Sequence, residues 1–475
     1  MESTLNILAR IQTPFDDEIP KVEEPSARFY VDAMRIYLAL SSGTISFDEG
    51  IEAAEALKKN PEYARSPTNP TQVPINQHYT NKILENLKIL KKFNLFTRDS
   101  IRSAYSFVFI SEEASINNID FRVLQGIVET PRASISSLAI NLGISPRTVS
   151  RSFERLKERH LLRNRAYLDN TPWGINTSLV FFTPRKDIDW PRVEEALMTF
   201  PYLKTILKTS VSDLGYLSFI VPGYKENYTS LHNSIKKLSK TIFDYVSIHT
   251  QDIVGADRNL SLYQNGIWKF PDAAKLLFEN EDLPNPETTP RILTCSEDVS
   301  SFREIDYKIA LAVKQSSRAS PSEIARNLLR KGIDVDPKQI STVVRKLYDR
   351  SIVLPYTVFA LGLTSDFCFE IVCNEFWKQR IMSVLPLLPY TMSYFSPNGV
   401  IIWAASPGVQ QVEYYQLFRL LEEHSGVKSV RSLMTINMKG SRVIDDFVES
   451  WRYTRNGYSV PSEEFNLSEY LPDDL

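Results

Sequence analysis

The N-terminal part of the chain has apolar residues at helical spacing, separated by polar stretches that contain proline. The spacing predicts helices over 28–42, 46–58 and 77–93, because each carries apolar side chains along one face. A β-rich run over 104–110 follows. Three helices and a hairpin outline a winged helix. We therefore predict a degenerate winged helix over 27–112, preceded by a flexible arm over 1–26.

A sharper pattern of the same kind lies within residues 115–170. An amphipathic stretch over 119–128 precedes Ser134, which caps a short second helix. Gly143 ends that helix, because glycine adopts the left-handed turn at little cost. Ser145 then caps a third helix, and a β-rich run over 163–168 is predicted to be its wing. We predict a winged helix-turn-helix domain over 115–170, called the first head.

The same layout returns about 186 residues further along the chain. Asp120 recurs as Asp306, and Pro146, at the start of the third helix, recurs as Pro337 after a longer turn. A repeat of this length indicates a duplicated multi-part unit and not a solenoid. We predict a second winged helix-turn-helix domain over 301–358, called the second head.

Strands and helices alternate after each head in the order β-α-β-β-α-β, which is the ferredoxin-like order. The first copy, the first module, covers 174–255, and the second module covers 359–445. A polar linker is predicted over 256–300 and an acidic, solvated tail over 446–475. The predicted fold class is α+β: winged helix-turn-helix domains alternating with ferredoxin-like βαββαβ domains in a multi-domain chain.

Composition narrows the class of protein without deciding its function. The chain has 475 residues, a formal net charge of −2 and 43% hydrophobic residues, which is ordinary for globular protein. No apolar run reaches membrane-spanning length, and no secretory signal is visible at the N-terminus. Three cysteines cannot make a disulfide framework. These features favour a cytoplasmic protein.

Charged residues are unevenly distributed along the chain, and a cluster of basic residues lies on the predicted recognition helix over 146–160. Four arginines recur there at every fourth position and form one stripe along the helix. Arginines can pair with guanine edges or with phosphates. The alternative is a solvated charged face with Glu154 and Glu158 as partners. The candidate DNA-binding residues of the first head are Ser145, Arg147, Thr148, Arg151, Ser152, Arg155, Arg159, Arg163 and Arg165.

The second head offers a weaker set on the equivalent helix, because acidic residues dilute it. Contact with bases and a purely protein-binding role are equally favoured there. Its candidate DNA-binding residues are Lys338, Gln339, Thr342, Arg345 and Lys346.

The segment over 119–168 resembles the DNA-binding domain of the Lrp/AsnC (feast/famine) regulators, with Asp120 opening its first helix and Gly143 before its recognition helix. The modules look like that family's ligand-sensing, oligomer-forming domain. The resemblance implies double-stranded DNA as partner and either a homodimer or an intramolecular pseudo-dimer with asymmetric half-sites. It leaves a small-molecule effector open, and the aromatic residues give no effector site.

Two alternatives remain. Tandem Lrp-like proteins include sirohaem decarboxylases, which use histidine and arginine around a tetrapyrrole. The five histidines here are scattered, and His249 and His424 are interpreted as structural. No P-loop, GxGxxG, GxSxG or HExxH motif occurs. We therefore predict no enzyme, no cofactor and no metal. The other alternative is a winged-helix scaffold that binds proteins.

Overall fold

A computed structural model describes most of the chain, and its residues group into two compact units. The first unit comprises Met1–Asp120, Glu154–Leu162 and Phe359–Gly362, and the second comprises Phe121–Phe153, Arg163–Val358 and Leu363–Leu475. The described residues are 11–17, 19, 25–60, 77–98, 100–101, 104–105, 116–159, 161–208, 214–223, 225–239, 241–271, 273–278, 290–295, 302–434, 439–441 and 451–471.

Helices form the core of the first unit. They are α1 (Pro25–Ser42), α2 (Phe47–Lys59) and α3 (Gln77–Lys92). Ser46 and Glu49 form a capping box that starts α2. The apolar stripes meet in one core around Phe29, Ile36, Leu57 and Leu87, among other side chains.

The strand predicted over 104–110 is wrong at its start. Ala104 and Tyr105 are helical. Ala104 is buried, and the Tyr105 ring contacts the Tyr37 ring edge-on at 5.2 Å between centroids, so this core holds the segment as a helix. Residues 106–110 lie outside the described residues.

The first head contains α4 (Asn118–Glu129), α5 (Ile135–Leu142) and α6 (Pro146–Glu158). Gly143 ends α5 with φ 64°, and the Ser145 hydroxyl accepts the Thr148 backbone N–H at 3.1 Å to start α6. Gly126 lets α4 approach α5, since a Cβ there would lie 3.2 Å from a Leu138 methyl carbon. The helix-turn-helix predicted from these residues is present.

The second head contains α10 (Glu304–Gln315), α11 (Pro321–Leu329) and α12 (Pro337–Asp349). Ser320 and Glu323 cap α11, and the Asp336 carboxylate accepts the Lys338 backbone N–H at the start of α12. Its core includes Tyr307, Ile309, Ile324, Ile340 and Leu347.

Each head is followed by a strand, and the two strands pair with each other. β1 (Leu162–Leu168) and β10 (Val353–Phe359) form a two-stranded sheet. The Asp169 N–H donates to the Ile352 carbonyl at 2.8 Å at the end of this pair. The predicted wings are therefore not free hairpins, because each strand satisfies the hydrogen-bonding groups of the other.

The modules have the predicted ferredoxin-like element order, which gives the chain its α+β class. The first comprises β2 (Ile175–Pro184), α7 (Trp190–Thr199), β3 (Leu203–Lys208), β4 (Gly215–Pro222), α8 (Lys225–Leu238) and β5 (Phe243–His249). The second comprises β11 (Leu363–Cys373), α13 (Glu375–Val384), β12 (Tyr390–Ser396), β13 (Gly399–Pro407), α14 (Gln411–Arg419) and β14 (Val427–Met434).

Each module adds a strand to the sheet of the other. The strand β6 (Ile253–Arg258) follows β5 but pairs with β12, and β15 (Lys439–Ser441) follows β14 but pairs with β3. The sheets thus have the orders β15-β3-β4-β2-β5 and β14-β11-β13-β12-β6-β9, where β9 is the short strand Ile292–Thr294. A tandem repeat allows this exchange, because both copies are present in one chain.

The segment predicted as a linker over 256–300 contains ordered elements. They are the end of β6, a small hairpin of β7 (Tyr263–Gln264) and β8 (Ile267–Trp268), α9 (Ala273–Phe278) and β9 (Ile292–Thr294). Ala273 and Leu277 are buried in the core of the second module. The linker prediction is wrong for these parts, because apolar side chains among the prolines have a core to enter.

The two sheets pack face to face in the second unit. Leu179, Phe181 and Tyr216 of the first module meet Cys368, Ile401 and Leu433 of the second. Alternation along each strand puts these residues on one face and leaves the other face for the module's own helices.

The tail predicted to be solvated is packed over 451–471. It forms a hairpin of β16 (Arg452–Thr454) and β17 (Gly457–Ser459), and Tyr458, Phe465 and Leu467 are buried. The prediction is wrong because the aromatic and apolar residues between the acidic ones enter hydrophobic cores. Residues 442–450 and 472–475 lie outside the described residues.

Candidate nucleic-acid interface

The helix α6 is anchored by one face and exposes the other. Val149 and Leu156 are fully buried, whereas Arg147 and Arg151 are exposed. Among the described residues, neither arginine forms an ion pair or side-chain hydrogen bond. They lie one turn apart in the N-terminal half of α6, so both guanidinium groups are available to a ligand in front of the helix.

The first turn of α6 is fixed by its own hydroxyl groups. The Ser145 and Thr148 side-chain oxygens lie 2.8 Å apart, within hydrogen-bonding distance, and Ser145 also accepts the Thr148 N–H. Both were predicted as DNA-binding residues, and the geometry gives them a capping role as well. The cap orients Arg147, which directly follows Pro146 in the first turn.

Arg155 belongs to the same predicted stripe and is exposed, but its guanidinium group binds the buried Asp120 of α4. Its Nη2 donates to Asp120 Oδ1 at 2.5 Å and its Nε donates to Asp120 Oδ2 at 3.2 Å. Asp120 is 1% exposed, and this hydrogen bond raises the pKa of the Arg155 guanidinium. Arg155 therefore fixes α6 against α4 and positions the recognition helix, while its predicted DNA contact stays a prediction.

Ser152 also departs from the predicted interface, because it is fully buried. It lies between Val149 and Leu156 on the packed side of α6, since successive helical positions are 100° apart. Arg159 follows α6 and is half-buried.

The two arginines of β1 do not form a free basic wing. Arg165 donates to the Gln315 carbonyl of the second head at 3.0 Å. Both terminal nitrogens of Arg163 are buried without a hydrogen-bond partner, and burial, helped by the charge of Arg165, lowers the pKa of Arg163 to about 10. Both side chains lie on β1, and the pairing of β1 with β10 is a contact that the sequence of one head could not reveal.

Acidic side chains limit the basic surface of α6 to its N-terminal half. Glu154 and Glu158 are exposed near the C-terminal end, and Glu154 pairs with Lys157 at 3.4 Å. The exposed N-terminal half of α6 is basic and its C-terminal end carries both charges. This arrangement suits contact with DNA through the N-terminal half, as in helix-turn-helix recognition.

In the second head, two of the five candidate residues are exposed cations without a structural role in the described part of the chain: Lys338 and Arg345. The Thr342 hydroxyl donates to the Lys338 carbonyl, and Gln339 is half-buried. The Lys346 ammonium lies 4.3 Å from the centre of the Phe302 ring. Lys346 stands at the repeat position of Arg155, so both residues at this position are drawn toward the body of their head.

Two further arginines hold the heads together, and the sequence analysis missed them. Arg318 donates to the carbonyls of Pro131 at 2.9 Å and Ala133 at 2.6 Å. Arg132 lies 3.7 Å from the centre of the Tyr348 ring. Arg132 and Arg318 are 186 residues apart, the spacing of the repeat, and that spacing was the signal that could have found them.

A buried polar cluster lies between the two sheets. His249 is 1% exposed, and its Nε2 lies 2.8 Å from Glu370 Oε1 while its Nδ1 lies 2.9 Å from the Ser396 hydroxyl. Tyr245 donates its hydroxyl to the other Glu370 oxygen at 2.9 Å. In the described part of the chain, no group of three or more His, Cys, Asp or Glu side chains is arranged to hold a metal ion. Within those same residues, no helix is both long and apolar enough to cross a bilayer.

Comparison with known proteins gives a family model for the first head and several similar folds. A model described as winged helix-turn-helix DNA-binding matches residues 116–163. No curated protein sequence matches the chain. Among solved structures, the siroheme decarboxylase NirDL is similar at 11% identity and a TM-score of 0.40, over 74% of this chain and 98% of that chain. AsnC of E. coli is similar at 17% identity and a TM-score of 0.21, over 33% of this chain and 98% of that chain.

These comparisons correct one prediction. The chain was predicted not to be an enzyme, and that prediction is contradicted, because NirDL, a similar structure, is an enzyme. The predicted likeness to Lrp/AsnC regulators is present, since AsnC and B. subtilis LrpC are also among the similar structures. Residues 116–163 form a winged helix-turn-helix domain of the DNA-binding type, within an α+β chain of tandem heads and modules.

Proposed function

We propose that this chain is a sequence-specific DNA-binding transcription regulator that reads the major groove with the helix over 146–160. The observation that carries the proposal is the pair Arg147 and Arg151, exposed on the first two turns of a helix whose other face is anchored in the first head. A helix enters the major groove with its N-terminal residues toward the bases, where arginine can bind guanine through two hydrogen bonds.

The second head has a supporting role in this proposal. Lys338 and Arg345 are exposed along α12 and supply positive charge for phosphate contacts. The two heads differ in their exposed side chains. A single chain would therefore recognise an asymmetric site, with most of the sequence preference at the first head.

We propose that the two ferredoxin-like modules associate with each other within one chain and so form an intramolecular pseudo-dimer. Face-to-face packing of the two sheets and the exchange of β6 and β15 support this. Both inner faces are occupied by the chain itself, so a second copy is not required to bury them. In light scattering, we expect the mass of one chain at micromolar concentration, and a dimer that persists on dilution would contradict this part.

The direct test is a double substitution, Arg147→Ala with Arg151→Ala. Random duplex DNA is first selected on the parent chain at a stated salt concentration, and binding of the selected sequence is then measured by titration. We expect the variant to bind at least about tenfold more weakly and to lose preference for the selected sequence, because two base contacts are lost. The slope of log affinity against log salt should become less steep by about one for each arginine that contacts a phosphate instead.

The matched control is Lys236→Ala with Lys237→Ala, which removes two exposed positive charges at the end of α8 in the first module. We expect it to bind the selected DNA like the parent, because those charges lie outside the heads. Equal binding by the Arg147 and Arg151 double variant and the parent would overturn the assignment of the recognition face.

A further inference from the structure

The segment over 169–174 joins β1 to the first strand of the first module, and it is packed into the second head. Trp173 is fully buried, and its Nε1 donates to the Arg303 carbonyl at 3.1 Å. Its ring lies 4.9 Å from the ring of Phe302 and 5.0 Å from that of Tyr307. This connection, called the hinge, is the covalent link between a DNA-binding head and its module, so its rigidity determines whether they move together.

The hairpin of β16 and β17 lies directly on the hinge. Tyr458 is fully buried with its ring 5.5 Å from that of Tyr307, and the Tyr453 hydroxyl donates to the Phe302 carbonyl at 2.8 Å. Gly457 has φ +88°, and a Cβ on it would lie 2.2 Å from the Trp173 carbonyl oxygen. The hairpin therefore meets the hinge backbone against backbone, which a side chain at Gly457 would prevent.

The rest of the same segment binds to α8 of the first module. Asn227 donates its side-chain amide to the Val460 carbonyl at 2.9 Å, and the Ser230 hydroxyl donates to the Ser462 carbonyl at 3.1 Å. The Leu467 N–H donates to the Ser234 hydroxyl at 2.8 Å. These three α8 residues lie on one face of the helix, at positions i, i+3 and i+7.

Apolar burial reinforces those hydrogen bonds. Phe465 is fully buried and Leu467 is 1% exposed, both within the core that α8 covers. The Tyr202 ring contacts the Phe465 ring at 4.5 Å between centroids. The segment over 451–471 thus has one end on the hinge and second head and the other end on the first module.

We propose that residues 451–471 are an intramolecular strap that locks the hinge over 169–174 and holds the second head in a fixed position against the first module. The strap preorganises this part of the protein. The consequence for DNA rests on the proposed function: with the strap docked, less conformational freedom is lost on binding, so affinity is higher.

The test uses the full chain with Gly457→Ala, which removes the space for the Trp173 carbonyl. The matched control is Gly266→Ala. Gly266 also follows an asparagine in a hairpin and has a positive φ of +84°, but no atom lies within 4 Å of the new Cβ. Backbone strain is similar in the two variants, and only Gly457→Ala displaces the strap.

Hydrogen exchange of the hinge amides is the readout that does not depend on DNA. The N–H groups of Trp173, Gly174 and Ile175 are hydrogen-bonded within the hinge. We expect them to exchange at least about tenfold faster in Gly457→Ala and at the parent rate in Gly266→Ala. Tyr453→Phe, which removes one hydrogen bond and keeps the ring, should shift exchange in the same direction by less, and it replaces Gly457→Ala if that variant does not fold.

Unchanged hinge exchange in both Gly457→Ala and Tyr453→Phe would overturn the strap. DNA binding is then measured on the same samples, and we expect Gly457→Ala to bind the selected DNA several-fold more weakly than Gly266→Ala. If exchange changes but neither the parent nor any variant binds DNA, the strap stands and the proposed function fails.

Discussion

The arginines of the first head show how side chains with the same spacing acquire different roles. Arg147, Arg151 and Arg155 follow one another at every fourth position of α6 and all are exposed. Arg155 binds the buried carboxylate of Asp120, whereas the other two form no ion pair among the described residues. The difference comes from the neighbouring helix α4, which brings Asp120 to the third turn of α6 only. Charge and spacing in one helix cannot distinguish a ligand contact from a packing contact.

Substituting Arg155 should lower the stability of the first head more than it weakens direct contact with DNA. In Arg155→Ala, Asp120 keeps its hydrogen bonds with Asn117 but loses its cationic partner, so we expect unfolding of the head to become easier by about 1–3 kcal/mol. Urea unfolding followed by a probe in the first head measures this. Arg151→Ala is the control on the same helix, with a change of less than about 0.5 kcal/mol expected. Equal losses in both variants would contradict the positioning role of Arg155.

A buried carboxyl in β6 gives a pH-dependent contribution to stability. Asp257 is 3% exposed, and burial raises its pKa from 3.8 to about 6, although the Arg291 N–H donates to it at 2.9 Å. Because the folded state holds this proton more tightly, the contribution is full below about pH 4 and is lost as pH rises through about 6. In urea unfolding, we expect the midpoint of Asp257→Asn minus that of the parent to increase from pH 4.5 to pH 7.5, because only the parent loses this contribution. A constant difference across that range would contradict this assignment.

At the scale of elements, the repeat determines more than the number of domains. The strands β6 and β15 each leave the module that precedes them and join the sheet of the other module. The strands β1 and β10, which the sequence places in different heads, form one small sheet. In each case an edge strand finds a partner from the other copy, because an unpaired edge exposes hydrogen-bonding groups.

The pairing of β6 with β12 depends on a glycine. Gly255 lies opposite Ser393, and a Cβ at Gly255 would be 2.3 Å from the Ser393 hydroxyl oxygen, which is buried. We expect Gly255→Ala to cost about 1–3 kcal/mol of unfolding free energy and to speed hydrogen exchange in both strands. Adding Ser393→Ala removes the clashing oxygen and should restore most of the loss. A double variant as unstable as Gly255→Ala would show that the clash is not the cause.

At the scale of the whole molecule, the second unit is built around two sheets that meet face to face. Their interface is mostly apolar, with Leu179 and Phe181 against Cys368 and Leu433. One polar pair, His249 and Glu370, is completely enclosed in it. Such a pair contributes less to stability than to the choice of one relative placement of the sheets, since a shift that separates the two groups leaves each buried without its partner in the pair.

A double-mutant cycle tests this pair. We expect His249→Phe and Glu370→Leu to be destabilising separately, and the double variant to be more stable than the sum of the single losses by about 1–3 kcal/mol. The physical reason is that each single variant leaves the other polar group buried without its partner. Urea or thermal unfolding of the four proteins gives the coupling, and additive losses would contradict it.

The local sequence determined the parts of this protein that depend on local chemistry. The caps at Ser134 and Ser145 and the turn at Gly143 predict the helices of the first head, and the alternation of strand and helix patterns predicts the element order of the modules. These features need only neighbouring residues to form, because a cap or a left-handed turn is a matter of a few backbone groups.

Tertiary structure alone decided which side chains face solvent and which strands pair across the repeat. Four features depend on partners that are distant in the sequence: the ion pair of Arg155 with Asp120, the burial of Ser152, the pairing of β1 with β10 and the docking of the segment over 451–471. The aromatic residues of that segment were visible in the sequence, but no local pattern showed that the hinge and α8 would be there to receive them. A long-range contact needs two complementary surfaces, so the sequence of one surface does not predict which other segment binds it.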